Sequence, residues 1–193
     1  MSLAILDLGY GNTESIRLAF RRLDADSILV SDPASVQAAE KIVLPGVGHA
    51  GYGMQRLEEA GLVATLKLRT KPALGICLGM QMLFETSEET DRPLLGILPG
   101  RVRALEPAEG RPVPHMGWTR VRDVATDIGI SEGDHLYFAH CLVCPESGAT
   151  AARADYGGPI PAALRHKNWW AAQFHPERSS ASGADFLKAF LSA

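Results

Sequence analysis

Through the first half of the chain, short unbroken apolar runs alternate with stretches in which apolar residues return every third or fourth position. Unbroken runs of about four or five residues suit strands covered on both faces, and the longer period suits helices laid across them. The alternation therefore predicts a parallel sheet flanked by helices. Leu3 to Asp7, Ser27 to Ser31, Lys41 to Leu44 and Ala73 to Ile76 are the expected strands. Between the first two, Ile16, Ala19, Phe20 and Leu23 share one helical face, and Asn12 or Thr13 can cap that helix. Asp32-Pro33 opens a short helix with proline in its first turn, and a longer helix is expected from near Gly51 to Leu68. Met80, Leu83 and Phe84 carry a helical stripe after the fourth strand.

Beyond Pro93 the texture turns to prolines, glycines and patterns such as Val102, Ala104 and later Val121, Val124, which predict antiparallel or mixed strands beside the parallel core. Leu136 to Val143 reads as a buried strand, Trp169 to Phe174 as a late strand, and Ala184 to Leu191 as a closing amphipathic helix. No Gly-, Ser- or Pro-rich linker divides the chain and no internal repeat is visible. The expected architecture is one doubly wound α/β domain over residues 1–193, a mostly parallel central sheet flanked by helices with additional antiparallel strands.

Composition narrows the partners. A formal charge of -3, from 19 basic and 22 acidic side chains, points to neither nucleic acid nor an anionic membrane. The basic positions between Arg101 and Arg122 are interspersed with apolar ones and read as a solvated sheet face. No apolar run reaches membrane-spanning length, and the N-terminus meets Asp7 without a charged leader, so a cytoplasmic location is expected. Three cysteines are an odd count for a disulfide scaffold and suit a reducing compartment. Cys141 and Cys144 form a C-x-x-C pair, but residues three apart on a strand face opposite ways and no second ligand pair at zinc spacing is evident. They read as core or loop cysteines, and neither metal nor cofactor is expected.

The candidate chemistry lies elsewhere. Gly75-Ile76-Cys77-Leu78-Gly79 places a cysteine on a turn between an apolar strand and a helical stretch, the sulfur version of a nucleophile elbow. The flanking glycines suit a close strand–helix approach, and the nucleophile's own backbone is often strained at such a turn. Far downstream stands His175-Pro176-Glu177. Proline biases His175 to an extended backbone. If Glu177 continues that path, the two side chains share a face with Cα atoms roughly 6.6 Å apart, two strand rises. The carboxylate then orients one ring nitrogen and leaves the other for a thiol, the three components of an activated cysteine nucleophile. The Pro45-Gly46-Val47-Gly48 loop, Cys77 and His175 each follow a strand, and in open sheets of this kind ligands bind beyond the strands' carboxyl ends.

With these residues in view, the Gly75 to Gln81 run and the distal His175-Pro176-Glu177 resemble the triad-type, class I glutamine amidotransferases. Asp7-Leu8-Gly9-Tyr10-Gly11-Asn12, Leu44-Pro45-Gly46-Val47-Gly48, His115-Met116-Gly117-Trp118 and Tyr137-Phe138-Ala139-His140 narrow the resemblance to glutaminase subunits of imidazole glycerol phosphate synthases. That resemblance implies hydrolysis of glutamine to glutamate and ammonia through a cysteine thioester. The ammonia passes to a cyclase β/α barrel in a heterodimer serving histidine biosynthesis. By motif it implies Cys77 as nucleophile, His175 as base then acid, and Glu177 as orienter. The Leu78 amide, which the elbow geometry also predicts, joins Val47 or Gly48 in an oxyanion hole. Gly46, Gly48, Gln81, His140 and Cys141 are the implied substrate contacts, the last two through backbone, and Asn12, His115, Met116 and Trp118 the implied partner contacts. The chain departs from the family pattern at Leu8, usually tyrosine, at Thr119, usually asparagine, and at Cys141-Leu142, usually serine then tyrosine.

Other readings differ in testable features. A glutaminase of the pyridoxal phosphate pathway would carry Gly-Gly-Glu-Ser where this chain has Gly46-Val47-Gly48, and one serving anthranilate synthesis would also differ in its loops. A cysteine α/β hydrolase would normally place its acid well before the histidine. A binding protein without chemistry would have no need of Cys77, His175 and Glu177 together.

Overall fold

The computed structural model describes residues 2–193. In chain order the alternating half comprises β1 (Leu3–Leu6), α1 (Thr13–Arg21), β2 (Ser27–Val30), α2 (Pro33–Ala38), β3 (Lys41–Leu44), α3 (Ala50–Glu59), α4 (Leu62–Lys67), β4 (Ala73–Ile76) and the one-turn α5 (Leu78–Gln81). There follow β5 (Thr86–Ser87), β6 (Arg101–Ala104), β7 (His115–Arg122), β8 (His135–His140), β9 (Leu142–Val143), β10 (Thr150–Asp155), β11 (Pro159–His166), β12 (Trp169–Ala172), a 3-10 turn at Pro176–Arg178 and α6 (Ser180–Ser192).

The main sheet runs β2-β1-β3-β4-β12-β11-β10-β7-β8. From β2 to β12 every pairing is parallel, and from β12 to β8 every pairing is antiparallel. A small sheet, β5-β6-β9, lies apart. The unbroken apolar runs fill the parallel half because both faces are covered. Ala4, Leu6, Ile42 and Leu44 point into a core with Val36 of α2, Leu57 of α3 and Leu66 of α4. Leu3, Ile5, Val43 and Leu74 point the other way, to Phe20 of α1 and Phe186 and Phe190 of α6. Strand alternation thus sorts adjacent residues of one run into two cores.

Several expected boundaries move. The long helix breaks into α3 and α4 at Gly61, whose φ of +68° ends the first helix in the left-handed region. The stripe Met80, Leu83, Phe84 is fully buried, but only one turn of it is helical. Leu136 to Val143 is not one buried strand. It breaks at exposed Cys141, with β8 pairing to β7 and β9 to β6. The late strand ends at Ala172, and the closing helix begins at Ser180 rather than Ala184.

Register delivers the site. β12 lies beside β4 with Ala172 opposite Ile76, and the Cys77 N–H donates to the Ala172 carbonyl at 2.7 Å. The ends of two strands distant in sequence therefore finish together, one leading into Cys77 and the other into His175.

Candidate active site

Cys77 sits at φ +53°, ψ -106°, on the positive side that a residue with a Cβ rarely occupies. Its neighbours fix it there. A Cβ on Gly79 would stand 2.0 Å from the Leu44 carbonyl oxygen, and one on Gly75 would stand 2.6 Å from the Gly79 carbonyl oxygen. Only glycines let β3, β4 and the turn approach so closely, which is the physical content of the Gly-x-Cys-x-Gly pattern.

His175 has the expected extended backbone, φ -98° and ψ 98°. Glu177 does not continue the strand. Pro176–Arg178 curls into a 3-10 turn, and this turn, rather than strand alternation, returns the carboxylate to the ring. The His175 Nδ1–H donates to Glu177 Oε1 at 2.9 Å, both side chains being buried. Nε2 is the nitrogen left for Cys77, the neighbour that acts with Glu177 on the ring's protonation. Burial pulls the imidazole down, but the nearness of Cys77, the bond to Glu177 and the charge of both partners outweigh it. His175 rises from 6.5 to about 10 and is a protonated ring at neutral pH. Its backbone is clamped as well: the N–H donates to the Tyr137 carbonyl at 2.8 Å, and the carbonyl accepts from the Ser179 hydroxyl at 2.7 Å.

In front of the sulfur lies a cavity of about 250 Å³. Among the residues the sequence singles out, Val47, Gly48, Leu78, Gln81, Met116, His140 and Cys141 line it with Cys77. The Leu78 N–H is engaged, donating to the Gly46 carbonyl at 3.3 Å, so in this conformation it is not free for a developing oxyanion. Gly46 itself is buried, and of the loop only Val47 and Gly48 reach the cavity. Gln81 forms a wall, its amide nitrogen donating to the Leu142 carbonyl at 3.4 Å and to Gln173 Oε1 at 3.2 Å.

The expected partner contacts divide. Asn12 caps α1 through the Ser15 N–H at 3.2 Å and remains exposed, and Met116 and Trp118 are exposed by 64% and 52%. His115 is corrected: it is buried, stacked between Phe138 and Tyr156, and bonded to His140, so its ring presents nothing to a partner. Alternation along β7 puts His115 on the opposite face from Met116 and Trp118.

Two residues to which the sequence assigns no role join the site. Gln173, fully buried, directs its amide nitrogen to Cys77 Sγ at 3.7 Å. Its parity with His175 along the extended segment is the signal that could have revealed it. Glu89 is the carboxylate that lines the cavity and accepts the Ala50 N–H at 2.5 Å; it lies in a loop whose sequence has no period to read. Cys144 is buried, and desolvation, then proximity to Cys77, pushes its thiol well up, so it stays protonated. Among the described residues, no group of three or more His, Cys, Asp or Glu is placed to hold a metal ion, and no helix is long and apolar enough to cross a membrane.

His115 and His140 make stability depend on acidity. Burial draws each from 6.5 to about 4, so the native rings are neutral. Between those values the unfolded chain takes up protons that the folded chain refuses. The contribution is therefore complete above about pH 6.5 and drains away as pH falls toward 4. Urea midpoints measured from pH 7 to pH 5 will fall steadily, and replacing His115 with phenylalanine will flatten that slope. An unchanged slope in the variant would contradict the assignment.

Comparison with known proteins gives a consistent picture. Residues 4–193 match the family described as glutamine amidotransferase class-I. The chain is 46% identical over 191 residues to the imidazole glycerol phosphate synthase subunit HisH of Xanthomonas axonopodis pv. citri, covering 97% of this chain and 96% of the relative. It is 44% identical over 191 residues to the protein of the same name from Xylella fastidiosa, with the same coverage. Among solved structures, a glutamine amidotransferase superposes with a TM-score of 0.79 at 20% identity, covering 100% of this chain and 98% of that one. A putative GMP synthase protein from Thermoplasma acidophilum gives a TM-score of 0.74 at 19% identity, covering 100% of this chain and 92% of the other. At those identities the two structures speak for the fold alone.

Proposed function

We propose, from the premise that this chain belongs to the glutamine amidotransferase class-I family, that it is the glutaminase subunit of an imidazole glycerol phosphate synthase. It hydrolyses glutamine and supplies the ammonia to a cyclase partner in histidine biosynthesis. The observation that carries the reading is Cys77 at the wall of a cavity sized for a small amino acid, with the hydrogen-bonded pair of His175 and Glu177 beside it.

The sulfur attacks the side-chain carboxamide carbon of glutamine as the thiolate, its proton held on His175. The tetrahedral intermediate collapses to a glutamyl thioester as His175 Nε2–H protonates the departing ammonia. A carboxamide nitrogen is a poor leaving group, and a histidine held protonated supplies that proton directly. Water then attacks the thioester with His175 as base, releasing glutamate. Glu89, a carboxylate on the cavity wall, suits the substrate's ammonium group, and Gln81, Gly48 and the 139–142 backbone frame its amino-acid end. Asn12, Met116 and Trp118 are the exposed candidates for contact with the cyclase.

The oxyanion needs donors, and the Leu78 N–H is bonded to Gly46 in the isolated chain. Docking of the cyclase with its nucleotide substrate re-aims the glycine loop, freeing Leu78 and turning a Val47 or Gly48 amide inward. One such donor is worth about 2.7–4 kcal/mol of barrier, or about 10² to 10³ in rate. Glutaminase activity will therefore rise by about that factor when the synthase partner and its ligand are added. Equal rates with and without them would overturn this part of the reading.

A further inference from the structure

We propose that Thr119 is a positioning residue for glutamine: through the buried pair His115 and His140 it holds the backbone bend at 139–142 that walls the cavity. The proposal rests on the glutaminase reading above and extends it to a residue that neither touches substrate nor reaches the cavity.

The chain of bonds has one consistent direction. The Leu142 carbonyl can only accept, so His140 Nδ1, 2.7 Å away, must donate to it. A neutral His140 then has a bare Nε2, and His115 Nδ1, 3.0 Å away, must donate to that. His115 Nε2 is in turn bare and accepts from the Thr119 hydroxyl at 2.7 Å. Both rings are neutral at pH 7 because both are buried. A carbonyl at one end and a hydroxyl at the other thus fix both histidines in the Nδ1–H form. Thr119 reaches His115 because residues 115, 117 and 119 share one face of β7.

The far end of the chain of bonds lies in the site. The His140 bond to Leu142 closes the bend at exposed Cys141, and the Ala139 carbonyl lies 3.8 Å from Cys77 Sγ. The Leu142 carbonyl also accepts from Gln81, another wall residue. Loss of the Thr119 hydroxyl leaves a buried nitrogen without its donor and frees the His115 ring to turn, so the bend loses one of its fixings. The substrate pocket loosens while Cys77, His175 and Glu177 keep their own contacts. The expected signature is a higher KM with kcat nearly unchanged.

The test combines kinetics with histidine NMR on the whole protein. Long-range proton–nitrogen spectra of 15N-histidine protein will show two rings in the Nδ1–H form, assigned by loss of signals in His115→Phe and His140→Phe. Thr119→Val will raise KM for glutamine about five- to tenfold, the size of one lost net hydrogen bond, and will shift the His115 Nε2 resonance. Thr119→Ser will restore both. In the His115→Phe background, Thr119→Val will add nothing, because its effect runs through that ring. An Nε2–H tautomer at either histidine, an unchanged KM in Thr119→Val, or additive effects in the double variant would each overturn the proposal. A wild-type chain that hydrolyses glutamine normally while any of these holds leaves the glutaminase reading intact; a wild-type chain inert toward glutamine even with its synthase partner sinks that reading instead.

Discussion

Cys77→Ser will leave the protein folded and glutaminase activity lower by at least about four orders of magnitude, in line with losses of up to about 10⁶ when a hydrolase nucleophile is removed. Serine has nearly the shape of cysteine, and the φ of +53° is imposed by the glycine-mediated approach of β3, β4 and the elbow, not by the sulfur. Packing is therefore spared and the loss reports chemistry. The hydroxyl must give up a proton far less acidic than a thiol's, and it brings no anionic charge to help hold on His175 the proton that the departing ammonia needs. An ammonia-release assay with the synthase partner present, alongside an unchanged thermal melt, measures both halves of the statement. Residual activity within tenfold of wild type would mean that the sulfur is not the attacking atom.

Glu177→Gln is expected to lower kcat by about 10² to 10⁴ with a smaller effect on KM, by analogy with removal of the orienting charge in other triads. The carboxylate does two things here. It fixes the ring through the 2.9 Å bond to Nδ1, which leaves Nε2 to the sulfur, and it helps to hold the imidazole protonated. The amide of glutamine can present its N–H to Nδ1 and select the wrong tautomer, and it brings no charge. His175 will therefore titrate lower in the variant. Wild-type stability carries the same signature. The native pKa lies above the unfolded 6.5, so the contribution is full below about pH 6.5 and is lost as pH rises through 10. Denaturation midpoints between pH 7 and pH 10 should fall less steeply in Glu177→Gln than in wild type. Identical slopes, or a variant with normal kcat, would show that the carboxylate does not govern the ring.

The parallel half of the fold is readable in the sequence because its strands are covered on both faces and so appear as unbroken apolar runs. Where one face is wet the signal thins. Leu136 to Val143 looks apolar throughout, yet the chain turns outward at Cys141 because β8 and β9 pair with different strands, a nonlocal fact. Gly61 breaks a helix that periodicity alone carries through. At the site, the elbow is legible because steric need selects glycine at fixed offsets, and the histidine because proline extends it. The path from His175 to Glu177 departs from the extended expectation, since a proline that follows an extended residue also opens a 3-10 turn. His115 stands apart from Met116 and Trp118 because adjacent strand residues face opposite ways, and alternation along β7 is enough to send it inward. Glu89 has no such signal, because only tertiary packing brings its loop to the cavity.

Rapid-quench intact mass spectrometry during turnover of glutamine, followed by peptide mapping, tests the central claim most directly. A chain that gains the mass of one glutamyl group, mapped to Cys77 and absent from Cys77→Ser, is the predicted result. Glutamate formation without any covalent species, or with the adduct on Cys141 or Cys144, would contradict it.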